Sequence, residues 1–534
     1  MVGCALGDNI SYPIYISYFP YLFLVTSVGW VQLAINIITY YTFMRTTHLL
    51  ATLITAFALL CPIHSHANPR LTVVVVVDGM TQSNLLKLRP YWSAGGMRIL
   101  SEEAYQTTIS YPHIVNGGDE TTATLMTGST PSYHGVMNNC YFSRSQRTHH
   151  DVLHDNRVSG IGTHQQFSPQ SILSTTVTDE WRIQQGTNSK IYSIGLEPQT
   201  TIIMAGHAAN ACCWLDPVSL KWVSTSFYPE GLPTAADEMN MNGRINEVAE
   251  RVWTPRLDIS MYTHPTKDEK RRQFNYLPKE NLLHTPVANT LVIELALNLQ
   301  KSEHLGEDIT PDMMLLQLTT LSPKANTDVI ASAEQEDMYL GLNQDLGFLM
   351  DQLNRRIGKT NYQIILVGRP IKGYSEETLA SAGIEVQTFN VDRAAALTST
   401  YLMAIYGHER WVDGGYGPFI YLNRTLIEQK RLSLETIQRQ VANFLMDFEG
   451  VQLAFPIHEA IYSEQYSSIY QKHAGDVYFQ LHDHWLLYNN DQSPYDNVVL
   501  SNPTSPLLLW SGTLRTFPEK ELNATDVKSL ILKQ

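Results

Sequence analysis

The stretch Leu71-Thr72-Val73-Val74-Val75-Val76-Val77-Asp78-Gly79 decides the fold. An uninterrupted, mostly β-branched run that stops at a carboxylate and a glycine is the pattern of a strand buried on both faces of a parallel sheet. Met313–Leu318 and Tyr362–Val367 repeat the pattern, and between them Leu342, Leu346, Leu349 and Leu353 form one helical stripe. Strand, helix, strand in that order predicts an α/β protein. Ligands of such open sheets lie beyond the carboxyl ends of the strands, so Asp78 and whatever follows Leu318 and Val367 are expected to line the functional crevice.

Outward from that core, the 534 residues are 44% hydrophobic, enough for a large folded domain. A formal net charge of -14 without a long Lys/Arg run excludes a phosphate-backbone binder, so no nucleic acid is expected as a partner. The first 67 residues differ from the rest. Residues 1–43 contain no Lys or Arg until Met44-Arg45, and Tyr12–Phe43 is apolar enough for a membrane span. Met44, Arg45, the run Leu49–Leu60 and the ending Ser65-His66-Ala67 read as a signal peptide over 44–67, with cleavage before Asn68. Residues 1–43 then read as an extension from a mistaken start, with an uncleaved membrane hairpin as the competing reading. A lipid anchor at Cys61 is disfavoured by the bulky Leu60 before it. The mature chain is therefore expected in the periplasm or envelope, touching membrane only through residues 1–60 if they are retained. Cys140, Cys212 and Cys213 would remain, too few for a disulfide framework; one bridge to Cys140 is conceivable, and buried small hydrophobes are the favoured reading.

The Trp-, Pro-, Met- and Asn-rich stretch 205–276 lacks strands of the Leu71 kind and is expected to form an inserted cap, and 371–480 a second elaboration of helices and loops including Leu434–Phe448.

Val77-Asp78-Gly79-Met80, Thr127-Gly128-Ser129, His134-Gly135, Ser168-Pro169, Leu173-Ser174-Thr175-Thr176 and Asp179-Glu180 open a series of motifs. Ala205-Gly206-His207, Trp214, Asn289-Thr290-Leu291, Glu336-Asp337-Met338-Tyr339-Leu340 and Gly475-Asp476 continue it. From about Leu71 to Leu509 the series resembles the PafA-like, type I phosphodiesterase/nucleotide pyrophosphatase-related branch of the alkaline phosphatase superfamily. That resemblance implies a three-layer sandwich with a mostly parallel central sheet and inserted cap segments. It also implies phosphate ester hydrolysis by two zinc ions, a Thr nucleophile and a small phosphate clamp.

Carried over residue by residue, the family's first metal ligand falls on Asp78. Its nucleophile falls on Gly118, which has no side chain to attack phosphorus. The remaining ligands fall on Ser322, Asn326, Arg369, Pro370 and Thr504; an Arg repels zinc rather than binding it. The phosphate-binding Asn is matched by Asn139, whereas the clamp's Lys and Arg fall on Glu197 and Gln199. The expected function is an exported protein of this fold that has lost hydrolysis, needs no cofactor, and acts as a binding, scaffold or sensor protein for an envelope protein or small ligand. Arg369 is expected to stand in for a metal by pairing with Asp78, and Asn139 to keep a ligand-binding role.

The alternative is an active phosphomonoesterase or phosphodiesterase with zinc in a rebuilt site of Asp78, Asp119 and the cluster His149, His150, Asp151, His154 and Asp155. That cluster reads more simply as a polar surface loop. His482-Asp483-His484 reads as a strand with one buried His, and Thr121 or Thr122 as a displaced nucleophile only if metals activate it.

Overall fold

The computed structural model describes most of residues 68–534, apart from 116–117, 265–273, 275–277, 324–329, 331, 372–382, 484, 491–502, 514–520 and 534; before 68 it describes scattered helical residues between 35 and 44. Residues 1–67 and 68–534 are separate compact units. The expected signal peptide at 44–67 lies almost wholly outside the described residues. Among those described, no helix is long and apolar enough to cross a membrane.

In the second unit the strands are β1 (Leu71–Asp78), β2 (Tyr105–Ser110), β3 (Cys140–Ser143), β4 (Thr148–Asp151), β5 (Gly160–Ile161), β6 (Ile191–Gly195), β7 (Ala211–Asp216), β8 (Lys221–Thr225) and β9 (Asp312–Thr319). They continue as β10 (Tyr362–Arg369), β11 (Gln387–Asn390), β12 (Val412–Tyr416), β13 (Phe419–Leu422), β14 (Val451–Pro456), β15 (Val477–Leu481), β16 (Trp485–Tyr488), β17 (Thr504–Ser511) and β18 (Leu522–Asn523). Ten form one sheet in the order β18-β2-β17-β10-β1-β9-β6-β7-β8-β5. Its centre, β10-β1-β9-β6-β7, is parallel throughout. β1 is buried along its whole length, as the valine run predicts.

The pleat sends alternate residues to opposite faces. Val73, Val75 and Val77 join a core with the helices Pro286–Ser302 and Ala333–Arg356. Val74 and Val76 join a second core with the helices Asp119–Thr127 and Pro198–Ala205. Helices on both faces of a mostly parallel sheet are the expected three-layer α/β sandwich.

The expected cap at 205–276 differs from what is found. Ala211–Asp216 and Lys221–Thr225 are strands β7 and β8 of the main sheet itself. Cys212 and Cys213 are buried in opposite cores, so the bulky and sulfur-bearing residues that suggested a cap serve as strand interior. The helices Thr234–Met241 and Arg244–Ala249 then bury Ala235, Ala236, Met239 and Ile245 on the first core. Cys140, Cys212 and Cys213 are free, so no bridge to Cys140 forms among the described residues.

The second elaboration contains the sheet β12-β13-β15-β14 and the helices Val391–Tyr406 and Leu434–Leu445, around a core of its own that includes Trp411, Ile420, Val441 and Phe479. It extends past 480, because β16 pairs with β11. His482 and Asp483 lie in the turn between β15 and β16 rather than in a strand, and His484 is outside the described residues.

Candidate active site

The face carrying Val74 and Val76 ends, at the carboxyl rim, in Asp78. The same alternation along β10 gives Ile365, Val367 and then Arg369, and along β9 Met313, Leu315 and then Gln317. Three apolar rows thus finish in three polar side chains on one face. Asp78 and Arg369 are direct register partners on paired strands.

The expected pairing is present. Arg369 Nε donates to Asp78 Oδ1 at 2.6 Å, with each side chain only 4% exposed. Arg369 Nη1 donates to Thr200 Oγ1 at 2.8 Å and Nη2 to Glu197 Oε2 at 3.1 Å. The second Asp78 oxygen accepts from Gln317 Nε2 at 2.8 Å, and Gln317 Oε1 accepts the backbone N–H groups of Leu196 and Glu197 at 3.0 and 2.9 Å. Burial pushes the Asp78 carboxyl above the usual carboxylate range, against the pull of the Arg369 guanidinium. Burial opposes the Arg369 charge, but Asp78 and Glu197 outweigh it and hold the guanidinium protonated.

Gln317 and Thr200 are absent from the sequence expectations. The signal for Gln317 was a single amide inside an otherwise apolar strand, since a buried polar side chain needs partners.

Gly118 precedes the helix Asp119–Thr127 and is buried, and its N–H donates to Glu120 Oε1 at 3.2 Å. A Cβ at this position would lie 2.6 Å from Asn138 Oδ1, 2.7 Å from Asn139 Oδ1 and 2.8 Å from Glu120 Oε2. Polar side chains thus fill the space a nucleophilic residue at 118 needs. Asn139, the expected phosphate ligand, turns Oδ1 to the Asp119 N–H at 3.0 Å. Thr121 donates to the Gly118 carbonyl at 2.8 Å, while Thr122 is buried and its hydroxyl has no hydrogen-bond partner among the described residues. Ser322 is buried three residues beyond β9, Pro370 is buried beside Arg369, and Thr504 is exposed at the start of β17. Asn326 is outside the described residues.

The stretch expected as a surface loop is instead a hairpin, β3 paired with β4, and it disperses the histidine cluster. Neighbouring strand residues point to opposite faces. His149 packs against Tyr416 at 4.3 Å between ring centroids, whereas His150 lies by Tyr141. Asp151 accepts from Gln199 Nε2 at 2.8 Å, and Asp155 pairs with Arg157 at 2.8 Å. Among the described residues, no three His, Cys, Asp or Glu side chains are grouped to hold a metal ion. The donor set around Asp78 does not fit a zinc pair either, because both of its oxygens already accept from fixed N–H donors, one of them cationic.

Beneath the helix Asp119–Thr127 runs a buried relay. The Val136 N–H donates to His134 Nδ1, His134 Nε2 meets Thr124 Oγ1 at 3.2 Å, Thr124 Oγ1 meets His113 Nε2 at 2.8 Å, and His113 Nδ1 donates to the Ile114 carbonyl. Burial lowers His113 to about 4, and burial together with His113 lowers His134 to about 3. Both values lie below the unfolded one, about 6.5. The stability these neutral rings contribute is therefore fully present above pH 6.5 and is lost as pH falls toward 4 and 3. The melting-temperature penalty of His134→Gln is expected to be largest at pH 7 and to shrink toward pH 4; a penalty constant across that range would refute the linkage.

The model of the type I phosphodiesterase/nucleotide pyrophosphatase family matches residues 72–504. Alkaline phosphatase PafA of Elizabethkingia meningoseptica is 24% identical over 477 residues, 83% of this chain and 87% of that protein. Alkaline phosphatase PhoV of Synechococcus elongatus is 28% identical over 324 residues, 56% of this chain and 58% of that protein. The crystal structure of wild-type PafA superposes with a TM-score of 0.76 at 21% identity, covering 87% of this chain and 96% of its own. The family pattern runs from β1 to the start of β17 and the fold is shared along nearly all of PafA, so this chain, with the fold of alkaline phosphatase PafA, belongs to the type I phosphodiesterase/nucleotide pyrophosphatase family.

Proposed function

We propose that this chain keeps the fold of a family of phosphoric ester hydrolases but not two-zinc hydrolysis, and works as an exported binding protein that senses or scaffolds around the old cleft. The observation that carries this reading is the Arg369 guanidinium, bonded to Asp78, Thr200 and Glu197. A fixed internal cation neutralises the retained carboxylate where the resemblance places metal ligands. Gly118 in place of a nucleophile, and Glu197 and Gln199 in place of a basic clamp, support the same reading. The counter-reading, an active phosphatase, rests on the relatives, which are named alkaline phosphatases.

Elemental analysis of the purified protein beside an aryl phosphate assay separates the two. The proposal expects well under one zinc per chain and no turnover above a heat-denatured control. About two zinc per chain with robust turnover overturns it. Export through residues 44–67 belongs to the same proposal. N-terminal sequencing of the protein from the envelope fraction is expected to begin at Asn68, and an uncleaved protein recovered from the cytosol refutes export.

A further inference from the structure

The turn between β3 and β4 carries Arg144 and Arg147, and it packs on the second elaboration where β13 gives way to the helix Arg424–Gln429. Between the two lies a groove of about 540 Å³, lined by Arg144, Arg147, Arg424, Asp413 of β12 and Thr425. That volume is within the range of small-molecule sites, roughly 300–1,000 Å³.

Arg144 Nη1 donates to Asp476 Oδ2 and Arg424 Nε to Asp476 Oδ1, both at 2.7 Å, so one carboxylate holds two guanidinium groups close together. Arg147 Nε donates to Asp413 Oδ1 at 3.1 Å. Arg410 flanks the same edge, its Nη2 on the Asp413 carbonyl at 3.0 Å and its own carbonyl accepting from Asn423 Nδ2 at 3.0 Å. Four guanidinium groups are thus set against two carboxylates, and Asp476 is fully buried beneath its arginines. Neighbouring Lys430 and Glu409 pair with each other at 2.8 Å and leave that surplus unchanged. The surplus stands out in a chain whose formal net charge is -14.

The donors are accessible as well as unspent. Arg424 and Arg147 are 48% and 45% exposed. Among the described residues, neither Nη of Arg424 nor Nη1 of Arg147 makes a hydrogen bond. Both side chains are anchored at Nε, which fixes the guanidinium while leaving its terminal N–H groups open, and a donor fixed in advance loses less entropy on binding. A cationic ligand would meet like charge here, whereas oxyanions accept from such forks two bonds at a time.

We propose that this groove binds a small multivalent oxyanion, a polyphosphate or a polycarboxylate, through the terminal N–H groups of Arg424 and Arg147. Two arginines held on different carboxylates suit a ligand with more than one anionic group. The site shares no residue with the Asp78–Arg369 rim, so it stands apart from the function proposed above.

Isothermal titration of the full chain at low ionic strength with pyrophosphate, and separately with citrate, tests the assignment. Saturable binding of at least one probe is expected, and the one that binds tells phosphate from carboxylate recognition. Arg147→Gln and Arg424→Lys, the second keeping the charge but losing the fork, are each expected to weaken it about fivefold. Arg355→Gln, at a 71% exposed arginine of the helix Ala333–Arg356, is expected to leave it unchanged. Should Arg424→Lys fail to fold, the exposed Arg147→Gln carries the test alone. Absence of saturable binding of both probes, binding unchanged in the groove variants that fold, or an equal loss in Arg355→Gln overturns the proposal. Zinc content and phosphatase turnover are read separately, so a failure here leaves the proposed function standing.

Discussion

Arg369→Met is expected to cost about 3–5 kcal/mol in urea unfolding, the range for removing one partner of a buried ion pair. The residue left behind decides the size. Asp78 is 3% exposed, so water cannot replace the lost 2.6 Å donor, and Gln317 alone remains to support the charge. Thr200 and Glu197 lose their guanidinium partner in the same step. Neither side chain of the central pair is exposed enough for solvent screening to reduce the figure. The double variant Asp78→Asn/Arg369→Met removes both charges and is expected to regain at least half of the loss, as neutral replacements of buried pairs often do. A single-variant cost below about 1 kcal/mol, the range of exposed pairs, would mean that the pair is solvated in solution.

Asp476→Ala is expected to cost about 2–4 kcal/mol, allowing for the partial exposure of its arginine partners. Asp476 is fully buried. Its Oδ2 accepts from Arg144 Nη1 and the Leu422 N–H, each at 2.7 Å, and its Oδ1 from Arg424 Nε at 2.7 Å and Gln438 Nε2 at 3.3 Å. One carboxylate thereby ties the β3–β4 hairpin to a strand and two helices of the second elaboration. Arg144 and Arg424 are 27% and 48% exposed and can rehydrate, but the Leu422 N–H is buried and is left without an acceptor. Amide exchange across Cys140–Asp151 should quicken along with the drop in unfolding free energy. Exchange that stays at its original rate would show that the hairpin is held by Phe142 against Tyr421 instead.

These two networks mark where sequence reading succeeds and where it stops. The valine run of β1 announces a doubly buried strand because nothing but apolar surroundings on both faces tolerates it, and the rim residues Asp78 and Arg369 follow from where such strands end. Their pairing was legible because parallel neighbours in register point the same way. β7 was not legible, since Ala211–Asp216 is a short apolar run without alternation, and periodicity alone cannot separate a short buried strand from a buried helix segment. Gln317 and Asp119 were hard to place for a different reason. Gln317 hydrogen-bonds Asp78 and the Glu197 backbone, each more than a hundred positions away, and Asp119 feels the charge of the equally distant Arg369, and local pattern carries no record of those. The hairpin at His149–Asp151 was hidden by its polar composition, because it borrows its apolar face from Tyr416 and Tyr421 of the second elaboration.

The coupling of Asp78 to Arg369 also constrains the lineage. Loss of the arginine strands an anion in the interior, and loss of the aspartate strands a cation, so each single step toward a metal-holding rim passes through a weakened intermediate. New zinc ligands added first would meet a resident guanidinium that cannot shed its proton. The pair therefore resists stepwise replacement, and drift at surrounding positions can accumulate while both of its members stay fixed.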